Sequence, residues 1–161
     1  MGGSGALGSL SAFAAEKRRT GAKIYISFDA DGNAAGAEQR AAKLNRTLSP
    51  DGVFVFERDF ESSFPPDVLA EALGLYGVRV LNRPVPWSTD QVEALLQGSL
   101  PFVKALEQET GESINKRMLG GLLAEALINR QRFAVEIFYG RGWVEPFEIG
   151  KFLAFLTQRS S

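Results

Sequence analysis

Two groups of carboxylates, each directly after a short apolar run, are the residues of this sequence best suited to chemistry. The first group is Asp29 and Asp31, and the second is Glu57, Asp59 and Glu61. Within each group the acids are two positions apart, so an extended backbone would project them to one side. Converging like charges raise each other's pKa unless a cation lies between them, and oxygen ligands suit Mg²⁺ or Mn²⁺. The pattern therefore favours a metal-assisted reaction at a phosphoryl group.

Two predicted strands must position these acids. The runs Ile24–Phe28 and Val53–Phe56 have the length and composition of buried strands. A turn at Gly32 and Asn33 separates the first strand from a predicted helix over Ala34–Leu48. Strand, helix and strand in succession predict parallel neighbours. The carboxyl ends of such strands share the sheet edge at which open α/β proteins bind ligands.

The same acids also have a structural interpretation. An Asp-x-Asp-Gly sequence is common in turns, because aspartate accepts hydrogen bonds from nearby backbone N–H groups. Asp59 could likewise cap a helix rather than bind a ligand. Either group alone favours a turn, whereas two groups after two successive strands favour a site.

Three other motifs can be compared with the spacing around Asp29. An EF-hand loop beginning there needs glycine at its sixth position and glutamate at its twelfth, and this chain has Ala34 and Arg40. A dinucleotide-binding fingerprint needs its glycines after a strand, and the early glycines follow no predicted strand. A haloacid-dehalogenase-like phosphatase remains an alternative, with Asp29 as nucleophile and Asp31 as acid/base. Such enzymes usually carry Thr or Val where this chain has Asn33.

Composition restricts the remaining chemistry. The 161 residues are 45% hydrophobic, which suffices for one core, and the net charge of −1 gives no global basic signal for nucleic acid. The sequence contains no histidine and no cysteine, which excludes Ser-His and Cys-His catalysis, disulfides and thiolate metal sites. No apolar run reaches the roughly 20 residues of a membrane helix, and the start has no signal-peptide pattern. We therefore expect a cytoplasmic protein without a membrane partner.

The rest of the chain is predicted to be mainly helical. Residues 1–9 are glycine-rich and are interpreted as a linker or a glycine loop before a short helix over Ser11–Arg19. A helix is predicted to start at Pro65 and Pro66, and a third, marginal strand is predicted over Val78–Leu81. Further helices are predicted at about Ser88–Leu96, Leu100–Gln108, Ser113–Asn129 and Glu145–Thr157.

Four segments together resemble the TOPRIM domains of OLD-family (overcoming lysogenization defect) nucleases. In chain order they are Ile26-Ser-Phe-Asp29-Ala-Asp31-Gly-Asn-Ala-Ala-Gly36, Phe56-Glu57-Arg-Asp-Phe-Glu61-Ser-Ser-Phe64-Pro65, Asn115-Lys116-Arg-Met-Leu-Gly-Gly-Leu-Leu-Ala124 and Trp143-Val-Glu-Pro146-Phe-Glu-Ile-Gly150. The first resembles the Asp-x-Asp motif, the second an acidic segment before Phe-Pro, the third a helix opened by lysine, and the fourth the close of the domain. Their order and spacing over nearly the whole chain carry the resemblance.

The resemblance implies a TOPRIM-like Rossmannoid α/β fold with a small parallel sheet and a helical C-terminal half. We expect a single domain over residues 1–161, with an α/β core in 1–87 and a mainly helical part in 88–161. In this family the domain hydrolyses DNA phosphodiesters with metal ions and accompanies an ABC-type ATPase, in phage defence or repair. We therefore expect a Mg²⁺- or Mn²⁺-dependent endonuclease whose partners are DNA and an ATPase domain or subunit.

The resemblance also implies roles for particular residues. Asp29 and Asp31 would bind the metal. Glu57 and Glu61 would serve a second metal or its surroundings, and Lys116 would stabilise negative charge on the phosphate. Scattered arginines are interpreted either as surface residues or as contacts to the DNA backbone; they are Arg58, Arg130, Arg132 and Arg141.

One feature of the family has no counterpart in this sequence. The family has a strand and a glutamate upstream of a glycine loop, and Gly2-Gly3-Ser4-Gly5 resembles that loop. We expect the domain to be N-terminally incomplete, without the first, glutamate-bearing strand. This predicts a sheet with an open or exchanged edge and a homodimer. It also motivates a second hypothesis, in which the chain is a non-catalytic remnant or subunit that acts by protein interaction.

Overall fold

The protein is a mixed α/β structure in which helices predominate. The computed structural model describes residues 3–130 and 147–158. These residues contain seven α-helices, one 3-10 helix and two strands. The chain divides into two compact units, Met1–Glu57 (unit 1) and Arg58–Ser161 (unit 2). None of the helices in the described part is both long and apolar enough to cross a bilayer.

Unit 1 contains two helices and a small parallel sheet. Its elements are α1 (Gly3–Arg19), β1 (Tyr25–Asp29), α2 (Ala34–Leu48) and β2 (Gly52–Phe56). The strands pair in parallel, with Tyr25 opposite Gly52 and Asp29 opposite Phe56, so α2 is the crossover of a β-α-β unit. The prediction of two parallel strands joined by a helix is confirmed.

The core of unit 1 follows from the spacing of the apolar residues in its helices and strands. Its buried members are Ala14, Phe28, Ala37, Leu44 and Leu48. In α2, Ala37, Leu44 and Leu48 recur at helical spacing and form one apolar face. In β1, Ile26 and Phe28 alternate with outward-facing residues and meet that face. Periodicity thus places the helices over one side of the sheet.

The start of α1 differs from the prediction. The glycine-rich residues were expected to form a linker or loop before a short helix over Ser11–Arg19, whereas α1 already begins at Gly3. Single glycines lower helix stability by only about 1 kcal/mol each. The Ala and Leu residues among and after them are strong helix formers, so the first glycines join the helix.

The described residues of unit 2 form five α-helices and a short 3-10 helix over Glu61–Ser63. The α-helices are α3 (Pro66–Arg79), α4 (Thr89–Gln97), α5 (Phe102–Thr110), α6 (Lys116–Asn129) and α7 (Glu148–Gln158). All five contribute to one buried core, with Leu69, Val92, Phe102, Leu123 and Ile149 as one member from each.

Capping residues in the sequence predict where most of these helices begin. Pro66 opens α3, and Ser88 forms a capping box with Gln91 at the start of α4. Asn115 caps α6 by accepting a hydrogen bond from the backbone N–H of Met118 at 3.1 Å. These helix predictions are confirmed within a few residues. The predicted start of the last helix at Glu145 and Pro146 lies outside the described residues.

The predicted third strand over Val78–Leu81 is wrong. Helix α3 continues to Arg79, and Val80 is its C-cap. The helix persists because residues on one face, among them Leu69 and Leu73, are buried at helical spacing up to Tyr76. Four residues, three of them apolar, are too few to distinguish a strand from the end of a buried helix.

Candidate functional site

The Asp-x-Asp-Gly sequence forms a tight turn at the end of β1. Asp29 is the last residue of the strand and is half-buried. Asp31 and Gly32 then have positive φ values of 50° and 73°, and the N–H of Asn33 donates to the carbonyl of Ala30 at 2.8 Å. Positive φ at both central residues is the pattern of a type I′ turn, which favours Asp or Asn followed by Gly. We call residues 30–33 the acidic turn.

The expected projection of each acidic group to one side is wrong. Asp31 lies in the turn and is exposed, whereas Asp29 remains in the strand. In the second group β2 ends at Phe56, Glu57 is exposed, and Glu61 lies in the 3-10 helix. An every-second-residue pattern needs extended backbone, and in both groups the strand ends before the acids do.

Hydrogen bonds join the acidic turn to the end of β2. The N–H of Ala30 donates to the carbonyl of Phe56 at 2.8 Å, and the N–H of Gly32 donates to the carbonyl of Glu57 at 3.4 Å. The structure therefore brings Asp29, Asp31 and Glu57 to the same edge of the sheet. This is the carboxyl-terminal edge, where open α/β proteins bind ligands.

The N-terminus of α2 lies directly after the acidic turn. Asn33 caps the helix, with its Oδ1 accepting a hydrogen bond from the N–H of Gly36 at 2.9 Å. A Cβ at Gly36 would lie 2.6 Å from Nδ2 of Asn33, so the cap and the glycine depend on each other. The acidic turn therefore lies beside the positive end of the α2 dipole.

A shallow groove of about 490 Å³ runs beside the acidic turn. Its walls are mostly small side chains, and its two carboxylates belong to Glu38 on α2 and Glu57 after β2. Two carboxylates would repel a phosphodiester that entered the groove. A polyanion would therefore bind here only with cations between its phosphates and these acids.

The oxygen donors at this edge fit one hard cation. Magnesium is often held by one or two protein carboxylates, with water and substrate phosphate completing its coordination, and Asp29 with Asp31 supplies that number of carboxylates. No group of three or more Asp, Glu, His or Cys residues able to hold a metal occurs within residues 3–130 and 147–158. A complete metal centre made of protein ligands is therefore not seen in the described part of the chain.

The remaining predicted site residues belong to unit 2. Glu61 is only 5% exposed and begins the 3-10 helix. Lys116 is exposed and is the first residue of α6, as predicted. A cation at a helix N-terminus is opposed by the helix dipole, so helix stability does not explain the lysine at this position.

Asp59 has a structural role. It is 1% exposed, its Oδ1 accepts from the N–H of Ser62 at 2.8 Å, and its Oδ2 accepts from the N–H of Phe102 at 2.9 Å. The carboxylate thus caps the 3-10 helix and joins it to the first residue of α5. The helix-capping interpretation is correct for this member of the second acidic group.

The two arginines of the described part that were considered for DNA contacts make internal contacts. The guanidinium of Arg58 donates to the carbonyl of Leu96 in α4 and to the carbonyl of Leu100 in the loop before α5. Arg130 donates to carboxylates on α3, and a hydrogen bond to Glu71 is the main cause that raises its pKa. Arg132 and Arg141 lie outside the described residues.

Sequence reasoning missed Glu38 and Arg40 on α2. Glu38 lines the groove beside the acidic turn, and the guanidinium of Arg40 lies 4.6 Å from the centre of the Phe28 ring. Glu38 follows Ala34 by four residues, so it shares the helix face above the turn. That spacing is the signal that could have identified it.

Comparisons with known proteins give no relative, because no family model, no curated protein and no solved structure matches the chain. The likeness to the TOPRIM domains of OLD nucleases therefore stays a prediction from the four segments.

Proposed function

We propose that the chain is a TOPRIM-like, Mg²⁺- or Mn²⁺-dependent DNA endonuclease module of an OLD-like phage-defence or repair system. The observation that carries the proposal is the placement of Asp29, Asp31 and Glu57 at the carboxyl-terminal edge of a parallel β-α-β unit. This edge is the usual ligand site of open α/β sheets. The groove beside it carries carboxylates, so phosphate could approach only together with a cation.

Each residue at this edge has a separate role in the proposal. Asp29 and Asp31 would hold the cation, the first from a strand end and the second from an exposed turn. A bound cation would polarise the phosphodiester. Glu57, exposed after β2, would accept a proton from an attacking water. The resemblance alone assigns Glu61 to a second metal and Lys116 to the phosphate.

A second candidate is a non-catalytic subunit that acts by protein interaction. The observation that favours it is that no group of three or more metal-binding side chains occurs in the described residues. In this candidate the acidic turn only connects β1 to α2. Any hydrolysis is then carried out by a partner, such as an ABC-type ATPase.

Nicking of supercoiled plasmid in Mg²⁺ or Mn²⁺ separates the two candidates. Asp29→Asn and Asp31→Asn remove one charge each with little change of shape. Asp90→Asn, at the exposed first turn of α4 in unit 2, is the matched control. Loss of groups that only support metal ligands already costs 10–100-fold, so we expect the site variants to nick roughly 100-fold more slowly or worse. The control should match the unmodified protein.

Other outcomes would decide against the endonuclease. An unmodified protein that does not nick, or site variants that nick as fast as Asp90→Asn, would favour the interaction subunit. Trapping of beryllium fluoride on Asp29 would instead support the phosphatase alternative, because a phosphate mimic bound to carboxylate requires a nucleophilic aspartate.

A further inference from the structure

One face of α2 lines the groove beside the acidic turn. The residues of this face in the groove are Ala34, Ala37, Glu38 and Ala41, and their spacing of three and four residues places them on the same side of the helix. Glu38 is exposed and is the charged residue among them. The helix thus presents methyl groups and one carboxylate to the groove, which we call the α2 groove.

The other lining residues connect the α2 groove to the proposed cation site. They are Ala30 and Gly32 of the acidic turn, Val55 in β2 and Glu57 directly after it. A nucleotide whose phosphate is held at the turn through a cation therefore has the groove directly beside it. The carboxylates of Glu38 and Glu57 repel phosphate, so the part of the nucleotide that enters the groove is the uncharged base.

The size and polarity of the α2 groove fit a nucleobase. Its volume of about 490 Å³ falls within the roughly 300–1,000 Å³ of small-molecule sites, which combine apolar walls with a few polar groups. Small side chains leave room for a planar ring, and the ring removes their methyl groups from water. An ionised carboxylate only accepts hydrogen bonds, so Glu38 selects a ring edge that donates them.

We propose that the α2 groove binds the base of a guanine nucleotide, whose ring N–H and neighbouring amino group both donate to the carboxylate of Glu38. Guanine places two donors side by side on its base-pairing edge, whereas adenine, cytosine and thymine place an acceptor next to their donor. Because that edge is occupied in duplex DNA, the substrate is single-stranded or locally unpaired DNA. This inference rests on the proposed function and extends it from the phosphate to the base.

Binding of guanosine tests the base site without metal or phosphate. Guanosine is titrated into the isotope-labelled full chain in the presence of EDTA, and the amide chemical shifts report both the affinity and the location of binding. We expect saturable shifts at Ala34, Glu38 and Ala41. Inosine, which lacks the amino group of guanosine, should bind roughly tenfold more weakly, since a good two-bond contact to a base gives discrimination of this order.

Two pairs of variants test the groove itself. Glu38→Gln removes the charged acceptor and should weaken guanosine binding roughly tenfold, whereas Glu93→Gln, in α4 of unit 2, removes the same charge elsewhere and should have no effect. Ala34→Leu fills part of the groove and should weaken both guanosine and inosine. Ala35→Leu, on a different face of α2, should weaken neither. All four positions are exposed, so circular dichroism should show unchanged helix content.

Any of four results would overturn the proposal. They are no shifts in the groove at the solubility limit of guanosine, equal binding of guanosine and inosine, guanosine binding that Glu38→Gln leaves unchanged, and tighter binding of N-acetyl-arginine amide than of guanosine. The last result would assign the groove to an arginine of a protein partner. The measurement needs neither metal nor turnover, so guanosine can bind while plasmid nicking fails, and nicking can succeed while guanosine does not bind.

Discussion

At the scale of single residues, backbone geometry explains the residue types at some positions of the acidic turn but not at all of them. Gly32 is explained by its φ of 73°, and Asn33 is explained by its hydrogen bond to Gly36. Asp31 is only partly explained, because Asn or Gly suits a positive φ equally well. A strand end likewise does not require Asp29. Asp29 and Asp31 are the carboxylates that the proposed function uses.

The cap of α2 makes a prediction about stability. Asn33→Ala removes the acceptor for the Gly36 N–H and should lower the free energy of unfolding by about 1 kcal/mol. Asn45→Ala, at an exposed position within the same helix, should be neutral or slightly stabilising because alanine is the better helix former. Urea denaturation of the two variants measures both effects. Equal effects of the two substitutions would contradict the capping role.

At the scale of elements, unit 2 relies on buried or half-buried carboxylates that bind backbone N–H groups. Asp59 joins the 3-10 helix to α5. Glu107 on α5 accepts a hydrogen bond from the N–H of Ile114 at 2.9 Å, and its other oxygen lies 3.5 Å from Nζ of Lys104. The hydrogen bond from Ile114, followed by the charge of Lys104, lowers the pKa of Glu107. The ionised carboxylate of Glu107 therefore stabilises the segment before α6.

The lowered pKa of Glu107 gives unit 2 an acid sensitivity. A folded-state pKa below the unfolded value stabilises the protein above the ordinary glutamate pKa of about 4.3. That contribution is lost as the pH falls through the lowered folded-state pKa. Glu107→Gln should reduce stability at neutral pH and make the loss on acidification shallower, as measured by urea midpoints across this range. Glu109→Gln, exposed on the same helix, should follow the unmodified protein, and identical pH profiles for both variants would contradict the assignment.

The elements that sequence reasoning predicted correctly are those with a strong local signal. The helix α2 has both its apolar period and a capping Asn33, and β1 and β2 are short apolar runs on either side of it. The start of α1 and the end of α3 were wrong because propensity alone was used where tertiary packing decides. At the site, the sequence predicted the shared edge of Asp29, Asp31 and Glu57. It did not predict where the strands end, because a positive φ at Asp31 is a property of the turn as a whole.

At the scale of the whole molecule, residues 3–130 and 147–158 contribute two hydrophobic cores, one in each unit. The expected boundary at residue 87 separates an α/β part from a mainly helical part by secondary-structure type, whereas the division after Glu57 follows contacts. Unit 1 has the smaller core, centred on Phe28, Leu44 and Leu48. A ligand that binds only the folded form of unit 1, such as a cation at the acidic turn, would add to the stability of this small unit by mass action.

The central claim is that Asp29 and Asp31 bind a divalent cation. Titration of the protein with Mn²⁺, followed by the electron paramagnetic resonance signal of the free ion, measures this binding without any need for DNA or turnover. We predict saturable binding to the unmodified protein and to Asp90→Asn, with affinity reduced roughly 100-fold in Asp29→Asn and in Asp31→Asn. Saturable binding that both site variants retain, or no binding by the unmodified protein, would contradict the account.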